Sequence, residues 1–186
     1  AVSGDEAFVM LALFPQKALF LFAVLFIVGI FAGFIIDLIV KRFNVKTCQR
    51  CGEMVTHQTE KNIGHYVKVH IYGHIIKKHL WKTALWTFGA LAVVEYGLWN
   101  FNLAEFTSDH KIMFLFLGAI VGLVPESGPH LIFVSLFSKE LIPFSVLLTS
   151  SIVQDGHGML PMLAYSVKDS LLIKSFSLVF GLTIGL

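Results

Sequence analysis

The sequence predicts an all-α membrane protein in which several helices are broken or re-entrant. Of its 186 residues, 56% are hydrophobic and only 14% are charged, far more apolar than an ordinary soluble domain. The run from Ala18 to Val40 has a single ionisable residue, Asp37, over a length that can cross a bilayer. Elsewhere, ionisable residues stand beside glycine and proline within apolar sequence. We therefore expect a polytopic helical bundle with interrupted helices.

The segment 41–82 carries most of the positive charge and is expected to lie in the cytoplasm. Nine of the 14 Lys and Arg residues fall within it, against two acidic residues, Glu53 and Glu60. Such an excess beside the end of a span marks the cytoplasmic side. Its second half, HYVKVHIYGHIIKKHLWK, is typical of a basic amphipathic helix at the membrane interface. The bilayer is the expected partner, and no nucleic-acid partner is expected.

Two cysteines give the same segment a candidate metal site. Cys48 and Cys51 form a C-x-x-C pair followed by glycine, and His57 and His65 lie further along the chain. A structural zinc ion takes four ligands of this kind, and only the two cysteines have the spacing of a zinc knuckle, so the four residues are a candidate zinc site and not the favoured interpretation. The alternative is an ordinary cytosolic loop whose cysteines have no role. In a reducing compartment no disulfide is expected.

The chain divides into three parts. Residues 1–40 are interpreted as the end of a first repeat, and residues 41–82 as the cytoplasmic loop with its interfacial helix. Residues 83–186 contain a return span, Thr83 to Phe101, and a second repeat that is expected to continue beyond the end of the chain. The acidic stretch after the return span, Asn102 to Lys111, is expected to be an outer loop.

The stretch SSIVQDGHGMLPMLAY, residues 150–165, is the first candidate for an ion site. Asp155 and His157 place a carboxylate and an imidazole inside apolar sequence. The residues beside them supply an amide and free backbone carbonyls at a helix interruption: Gln154, Gly156 and Gly158. Ionisable groups and unwound backbone are tolerated at membrane depth only where they line a polar cavity, so the stretch is a predicted functional site. The alternative is a solvent-exposed loop between two helices.

Two further motifs have the same character. In VPESGPHLIFV, helix breakers surround Glu126, Ser127 and His130, and near the start of the chain GDEAFVMLA carries Asp5 and Glu6. A charged side chain at the membrane centre costs on the order of 3 kcal/mol, so one shared polar cavity satisfies such groups better than several separate ones. We therefore expect the ionisable residues of the three motifs to converge near the bilayer midplane. They are Asp5, Glu6, Glu126, His130, Asp155 and His157.

An internal repeat relates the first motif to the last. A shift of 152 residues aligns GDEAFVMLA with GHGMLPMLA and places Gly29 and Gly33 on Gly181 and Gly185. The counterpart of PESGP would then precede residue 1. Transporters built from repeats bind their substrate at the repeat interface, on broken helices. We expect the repeats to be inverted, with the basic residues after the second motif in the cytoplasm.

The spacing of Gly29, Gly33 and Asp37 gives the first span a distinct face, since residues four apart lie on one side of a helix. Small residues at this spacing let another helix approach closely. Asp37 is therefore expected to point into the bundle as a supporting residue. The alternative places it at the cytoplasmic headgroups, beside Lys41 and Arg42.

The motifs together resemble one protein family. VPESGPHLIFV followed by SSIVQDGHGMLPMLAYSVKDS, and preceded by SGDEAFVMLALFP and the helix end GFIIDLIVKR, is similar to the ten-transmembrane heavy-metal exporters. These are bacterial membrane proteins also labelled arsenic efflux proteins or manganese transporters. The likeness covers most of the chain outside 45–64 and implies a multi-pass metal exporter of the inner membrane. The matched site residues are Ser3, Asp5, Glu6, Glu126, Ser127, Gly128, His130, Gln154, Asp155, Gly156 and His157.

The leading hypothesis is a secondary transporter that exports a divalent cation, manganese or zinc, in exchange for protons. Carboxylate and imidazole ligands suit these ions, and loss of the cation would leave carboxylates that take up protons. No cofactor and no enzymatic activity are expected, and a homodimer is left open.

Two alternatives belong to other classes. One is an intramembrane metalloenzyme whose zinc is held by Asp155, His157 and His130, a ligand number that leaves one position open for catalysis. The other is an arsenic or oxyanion efflux carrier. Arsenic would favour thiol ligands, which the predicted spans lack, and an anion carrier would need basic residues at the helix breaks, where the motifs contain none.

Overall fold

In the computed structural model, the described part of the chain comprises residues 2–43, 81–100, 103–155, 159, 163 and 166–186, and every regular element in it is an α-helix. This confirms the all-α prediction. The helices are α1 (Gly4–Leu13), α2 (Pro15–Phe43), α3 (Trp81–Asn100), α4 (Leu103–Asp109), α5 (Lys111–Gly122), α6 (His130–Ser138), α7 (Phe144–Val153) and α8 (Val167–Gly185).

Helix α2 has the length and composition of a membrane span. Within its stretch Pro15–Arg42, an 18-residue window has a mean hydropathy of 3.0, and only 6% of that window is buried. It is the one helix among the described residues that is long and apolar enough to cross a membrane. It contains the run from Ala18 to Val40 that was predicted as a span. Its exposed apolar side chains, such as Phe26 and Phe31, are suited to lipid contact.

Helices α5 and α7 are apolar but short. They contain 12 and 10 residues, and a helix rises about 1.5 Å per residue, so each covers about half of the roughly 30 Å hydrocarbon core. Each ends at one of the predicted interruptions, α5 before the PESGP motif and α7 before Gln154. The segment Asn102 to Lys111, predicted as a loop, instead contains the short helix α4.

Helix α7 lies between α5 and α8 and contacts both through glycines. A Cβ atom at Gly122 of α5 would lie 3.0 Å from the Ser150 carbonyl oxygen, and one at Gly181 of α8 would lie 2.5 Å from a methyl of Val153. The Thr149 hydroxyl donates to the Gly181 carbonyl at 3.2 Å. Small residues thus let the three backbones approach closely, as in other membrane bundles.

The directions of the helices follow from contacts at the turn 139–143, which we call the turn end of the bundle. Helices α3 and α6 both run toward it, because Trp86 packs on Gly128 before α6 and Glu95 pairs with Lys139 after it, at 2.8 Å. Helix α5 begins there, since its first residue, Lys111, lines a cleft together with the turn.

Helix α1 also runs toward the turn end. Its first turn places Glu6 beside His130, at the start of α6. The residue after it, Phe14, contacts Phe137 near the end of α6, with the rings edge-on and their centroids 5.1 Å apart. Helix α2 starts at that end, where Lys17 pairs with Glu140 at 2.7 Å. It therefore leads away from the turn end.

Helix α8 runs toward the turn end, opposite to α2. Lys174 lies beside Asp155, past the far end of α7, whereas Gly185 lies against Thr149, nearer to the turn end. The two long helices that follow the predicted repeat motifs, α2 and α8, thus run in opposite directions through the bundle.

We expect Gly181→Ala to lower the apparent melting temperature of the full-length protein in detergent. The added methyl would overlap Val153, and overpacking of this kind costs about 1–3 kcal/mol. The matched control is Gly29→Ala, at the position equivalent under the 152-residue shift, where no atom lies within 4 Å of the added methyl. Equal melting temperatures for the two variants would contradict the packing of α8 on α7.

Candidate functional site

Three helix ends meet at a buried polar cluster. They are the first turn of α1, the start of α6 and the last turn of α7 with the residue after it. All of its side chains are buried except that of Ser3, which is partly exposed. Its members are Ser3, Glu6, Ser127, His130, Ser150, Ser151 and Gln154.

Glu6 is the centre of this polar cluster and its side chain is completely buried. It is the third residue of α1, so its carboxylate can turn back to the residue that caps the helix, and Oε2 accepts from the Ser3 N–H at 3.1 Å. Oε1 accepts from Nε2 of Gln154 at the end of α7. Because a buried carboxylate needs such donors, these bonds hold the start of α1 against the end of α7.

His130, the first residue of α6, faces Glu6 through one nitrogen and α7 through the other. Nδ1 lies 3.4 Å from Glu6 Oε1, and Nε2 lies 3.1 Å from Ser150 Oγ. The Ser150 hydroxyl also donates to the Leu147 carbonyl at 2.9 Å, so this serine connects the imidazole to the backbone of α7. Nδ1 is turned toward the carboxylate.

Serine hydroxyls complete the cluster, and sequence analysis did not assign the two on α7. Ser151 Oγ lies 3.5 Å from His130 Nε2, and Ser3 Oγ lies 3.2 Å from Ser127 Oγ. A run of three consecutive hydroxyl residues, 149–151, in a mainly apolar helix was the available signal for the α7 pair.

Asp155 follows Gln154 directly but has a different partner. Its Oδ2 lies 3.1 Å from Nζ of Lys174 on α8, and the two side chains are 16% and 12% exposed. The same ammonium donates to the Leu123 carbonyl at the end of α5, at 2.7 Å. The structure thus brings a basic residue to the helix breaks, which sequence analysis did not find because Lys174 lies outside the motifs.

The remaining predicted residues lie in several places. Asp5 and Glu126 are partly buried. Asp37 is exposed and pairs with Lys41 at 2.6 Å, so it does not point into the described part of the bundle as expected. His157, Gly156 and Gly158, and the cytoplasmic candidates Cys48, Cys51, His57 and His65, lie outside the described residues. Within the described residues, no three His, Cys, Asp or Glu side chains form a group that could hold a metal ion.

Two ion pairs at the turn end are separate from the polar cluster. Lys139 bonds to Glu95, and Lys17 bonds to Glu140. The hydrogen bond and charge of Lys17 hold the pKa of Glu140 below its usual value. Both pairs are largely exposed, so they contribute little to stability, but they connect the turn to α2 and α3.

Broken helices that bring a buried carboxylate and an imidazole together are a common feature of membrane transporters, whose substrate sites lie at such helix breaks. Residues 83–186 match the model of the family described as "Putative, 10TM heavy-metal exporter". The match covers more than half of the chain, and the chain belongs to this family, as its motifs predicted. No curated protein and no solved structure matches the chain.

Replacing Ser150 with alanine should destabilise the protein, because it removes a hydrogen-bond partner of the buried His130 Nε2. Loss of a buried hydrogen-bond partner costs about 1–3 kcal/mol, which thermal unfolding in detergent can detect. Ser175→Ala is the control, since its exposed hydroxyl bonds only within its own helix, to the Leu171 carbonyl. If both variants melt together with the wild type, the hydrogen bond between α6 and α7 does not form.

Proposed function

We propose that this protein is a secondary transporter of the bacterial inner membrane that exports a divalent cation, manganese or zinc, in exchange for protons. Membership in a family of heavy-metal exporters supports metal transport in general. The observation that carries the finer proposal is the buried pair of Glu6 and His130 where three helix ends meet. The described residues have no comparable wholly buried acid–imidazole pair elsewhere.

The geometry of this pair suits a cation. Nδ1 of His130 and Oε1 of Glu6 face each other at 3.4 Å, and each atom can offer an electron pair to a cation. Two ligands bound at 2.0–2.1 Å to one tetrahedral zinc ion lie about 3.3 Å apart. A metal ion or a proton between the two atoms would therefore be stabilised with little movement of either helix.

Competition between these two occupants supports proton exchange. A metal ion requires the carboxylate and the free Nδ1 electron pair, so it cannot share the position with a proton between them. When the metal leaves, a proton can take its place and prevent repulsion between the two facing atoms. Export of the metal would then be coupled to proton entry.

The remaining ligands would come from the unwound segments beside the pair. Gln154 and Ser127 already belong to the polar cluster and offer oxygen ligands, which suit manganese. Asp155, His157, Asp5 and Glu126 are the further candidates that sequence analysis selected. In the described part of the structure Asp155 pairs with Lys174, so its participation requires a rearrangement.

Two features of the architecture support an inverted repeat around this site. Helices α2 and α8 begin at Pro15 and Val167, which are 152 residues apart, and they run in opposite directions. Helix α5 starts at the turn end and α6 returns to it, which supports a re-entrant hairpin with PESGP near its tip. Transporters with inverted repeats alternate access by moving one repeat against the other.

The alternative functions receive less support. A metalloenzyme with zinc on Asp155, His157 and His130 has less support, because the family to which the chain belongs is described as heavy-metal exporters. Arsenic would favour thiols, and both cysteines lie in the segment 41–82, outside the predicted spans.

In liposomes loaded with purified full-length protein, we expect Glu6→Gln and Asp155→Asn to reduce manganese and zinc transport to the level of empty liposomes. Each substitution keeps the side-chain volume and removes the charge that binds the cation. Transport is measured with a metal-sensitive dye inside the liposomes.

Asp109→Asn is the control, because Asp109 is exposed at the end of α4. Monodisperse elution and an unchanged melting temperature would show that each variant is folded. Wild-type transport by a folded Glu6→Gln variant would refute the assignment of the site, and transport of no divalent metal by the wild type would refute the function.

Cysteine labelling in intact cells tests the topology. Cys48 and Cys51 should react with a membrane-impermeant maleimide only after the inner membrane is permeabilised, because the basic segment 41–82 is expected to be cytoplasmic. A cysteine introduced at Ser108, which is exposed near the turn end, should react without permeabilisation. The opposite labelling pattern would reverse the proposed orientation.

A further inference from the structure

Lys174 occupies an unusual position for a lysine of an apolar helix. It lies in the eighth position of α8, and its ammonium reaches the place where α5 and α7 end. There it contacts Asp155 Oδ2 at 3.1 Å and the Leu123 carbonyl oxygen at 2.7 Å. Its side chain is only 12% exposed.

The groups around this ammonium are those that bind divalent cations. A carboxylate and a backbone carbonyl are hard oxygen ligands suited to manganese or magnesium. Leu123 caps the C-terminus of α5, and Asp155 lies just beyond the C-terminus of α7. The C-terminal ends of helices carry partial negative charge, so both dipoles favour a cation at this point.

We infer that the Lys174 ammonium is a built-in counter-cation that holds the place of the transported metal ion at Asp155 and is expelled when the metal binds. The inference rests on the proposed function and identifies the group that neutralises the negative charge of Asp155 when no metal ion is bound. Lys174 acts here as a residue that tunes affinity, since it touches a cargo ligand and not the cargo.

Electrostatics make the two cations mutually exclusive. A divalent ion on Asp155 would lie within a few ångströms of the ammonium in a poorly screened environment, where like charges repel strongly. The flexible four-carbon stem of lysine allows the ammonium to move away. Because Lys174 bonds to both Leu123 and Asp155, its departure would also remove these two hydrogen bonds between α8 and the ends of α5 and α7.

A purely structural ion pair makes the opposite prediction. If Lys174 only orders Asp155, its removal should leave the carboxylate disordered and weaken metal binding. If Lys174 competes with the metal, its removal should strengthen binding, because the metal no longer has to displace an internal cation. The sign of the change in affinity therefore separates the two roles.

The first experiment compares Mn²⁺ binding to the purified full-length wild type and variants by isothermal titration calorimetry in detergent. We expect Lys174→Met to bind Mn²⁺ about tenfold more tightly, equivalent to about 1.4 kcal/mol. Lys174→Arg, which keeps the positive charge, should stay near the wild type. The matched control, Lys168→Met, removes a lysine that is exposed on the same helix and should not change the affinity.

The second experiment uses the wild type alone and so does not depend on the folding of a variant. Lysines are labelled with an amine-reactive acetylating reagent with and without saturating Mn²⁺, and the modified peptides are quantified by mass spectrometry. The labelling rate of Lys174 should rise severalfold when Mn²⁺ is bound, whereas that of Lys168 should not change.

The outcomes distinguish this inference from the proposed function. If the wild type binds neither Mn²⁺ nor Zn²⁺, both are refuted. If it binds metal but the folded Lys174→Met variant has equal or weaker affinity, the inference is refuted and the proposed function stands. If that variant does not fold, unchanged labelling of Lys174 on Mn²⁺ binding refutes the inference, and increased labelling supports it.

Discussion

The buried carboxylate of Glu6 is the constraint on which the rest of this bundle depends. A charged group with no exposure to water is stable only if the protein supplies donors or a cation. A continuous helix cannot supply them, because its backbone groups are bonded internally. The chain therefore brings together the N-termini of α1 and α6 and the end of α7. These contribute the Ser3 N–H, the His130 imidazole and the Gln154 amide.

Close helix packing makes this meeting of helix ends feasible. Helix α7 delivers Ser150 and Gln154 to the buried carboxylate and imidazole, and it can lie at the centre only because glycines on α5 and α8 remove the side chains that would separate the backbones. The Thr149 hydroxyl, on the same helix, bonds to α8 across this contact. Packing and polar chemistry therefore depend on the same short helix.

The sequence predicted the local features of this structure better than its long-range contacts. The span α2 followed from one uninterrupted apolar run, and the breaks after α5 and α7 followed from glycine, proline and polar residues. Glu6 and His130 were selected because burying ionisable groups in a membrane is energetically unfavourable. Local patterns could not show that Asp155 meets Lys174, 19 residues away, or that Ser150 bonds to His130, because these pairings depend on how the helices pack.

The two polar sites share one piece of backbone, and this links them mechanically. Gln154 has an extended conformation, with φ of −71° and ψ of 127°, and successive side chains in extended backbone point to opposite sides. Gln154 accordingly contacts Glu6, while Asp155 contacts Lys174. A cation that replaces the Lys174 ammonium at Asp155 and draws this backbone toward itself would also shift the amide that donates to Glu6. Binding at Asp155 would then change the hydrogen bonding of the carboxylate that faces His130, so a single unwound segment can connect metal binding to proton exchange.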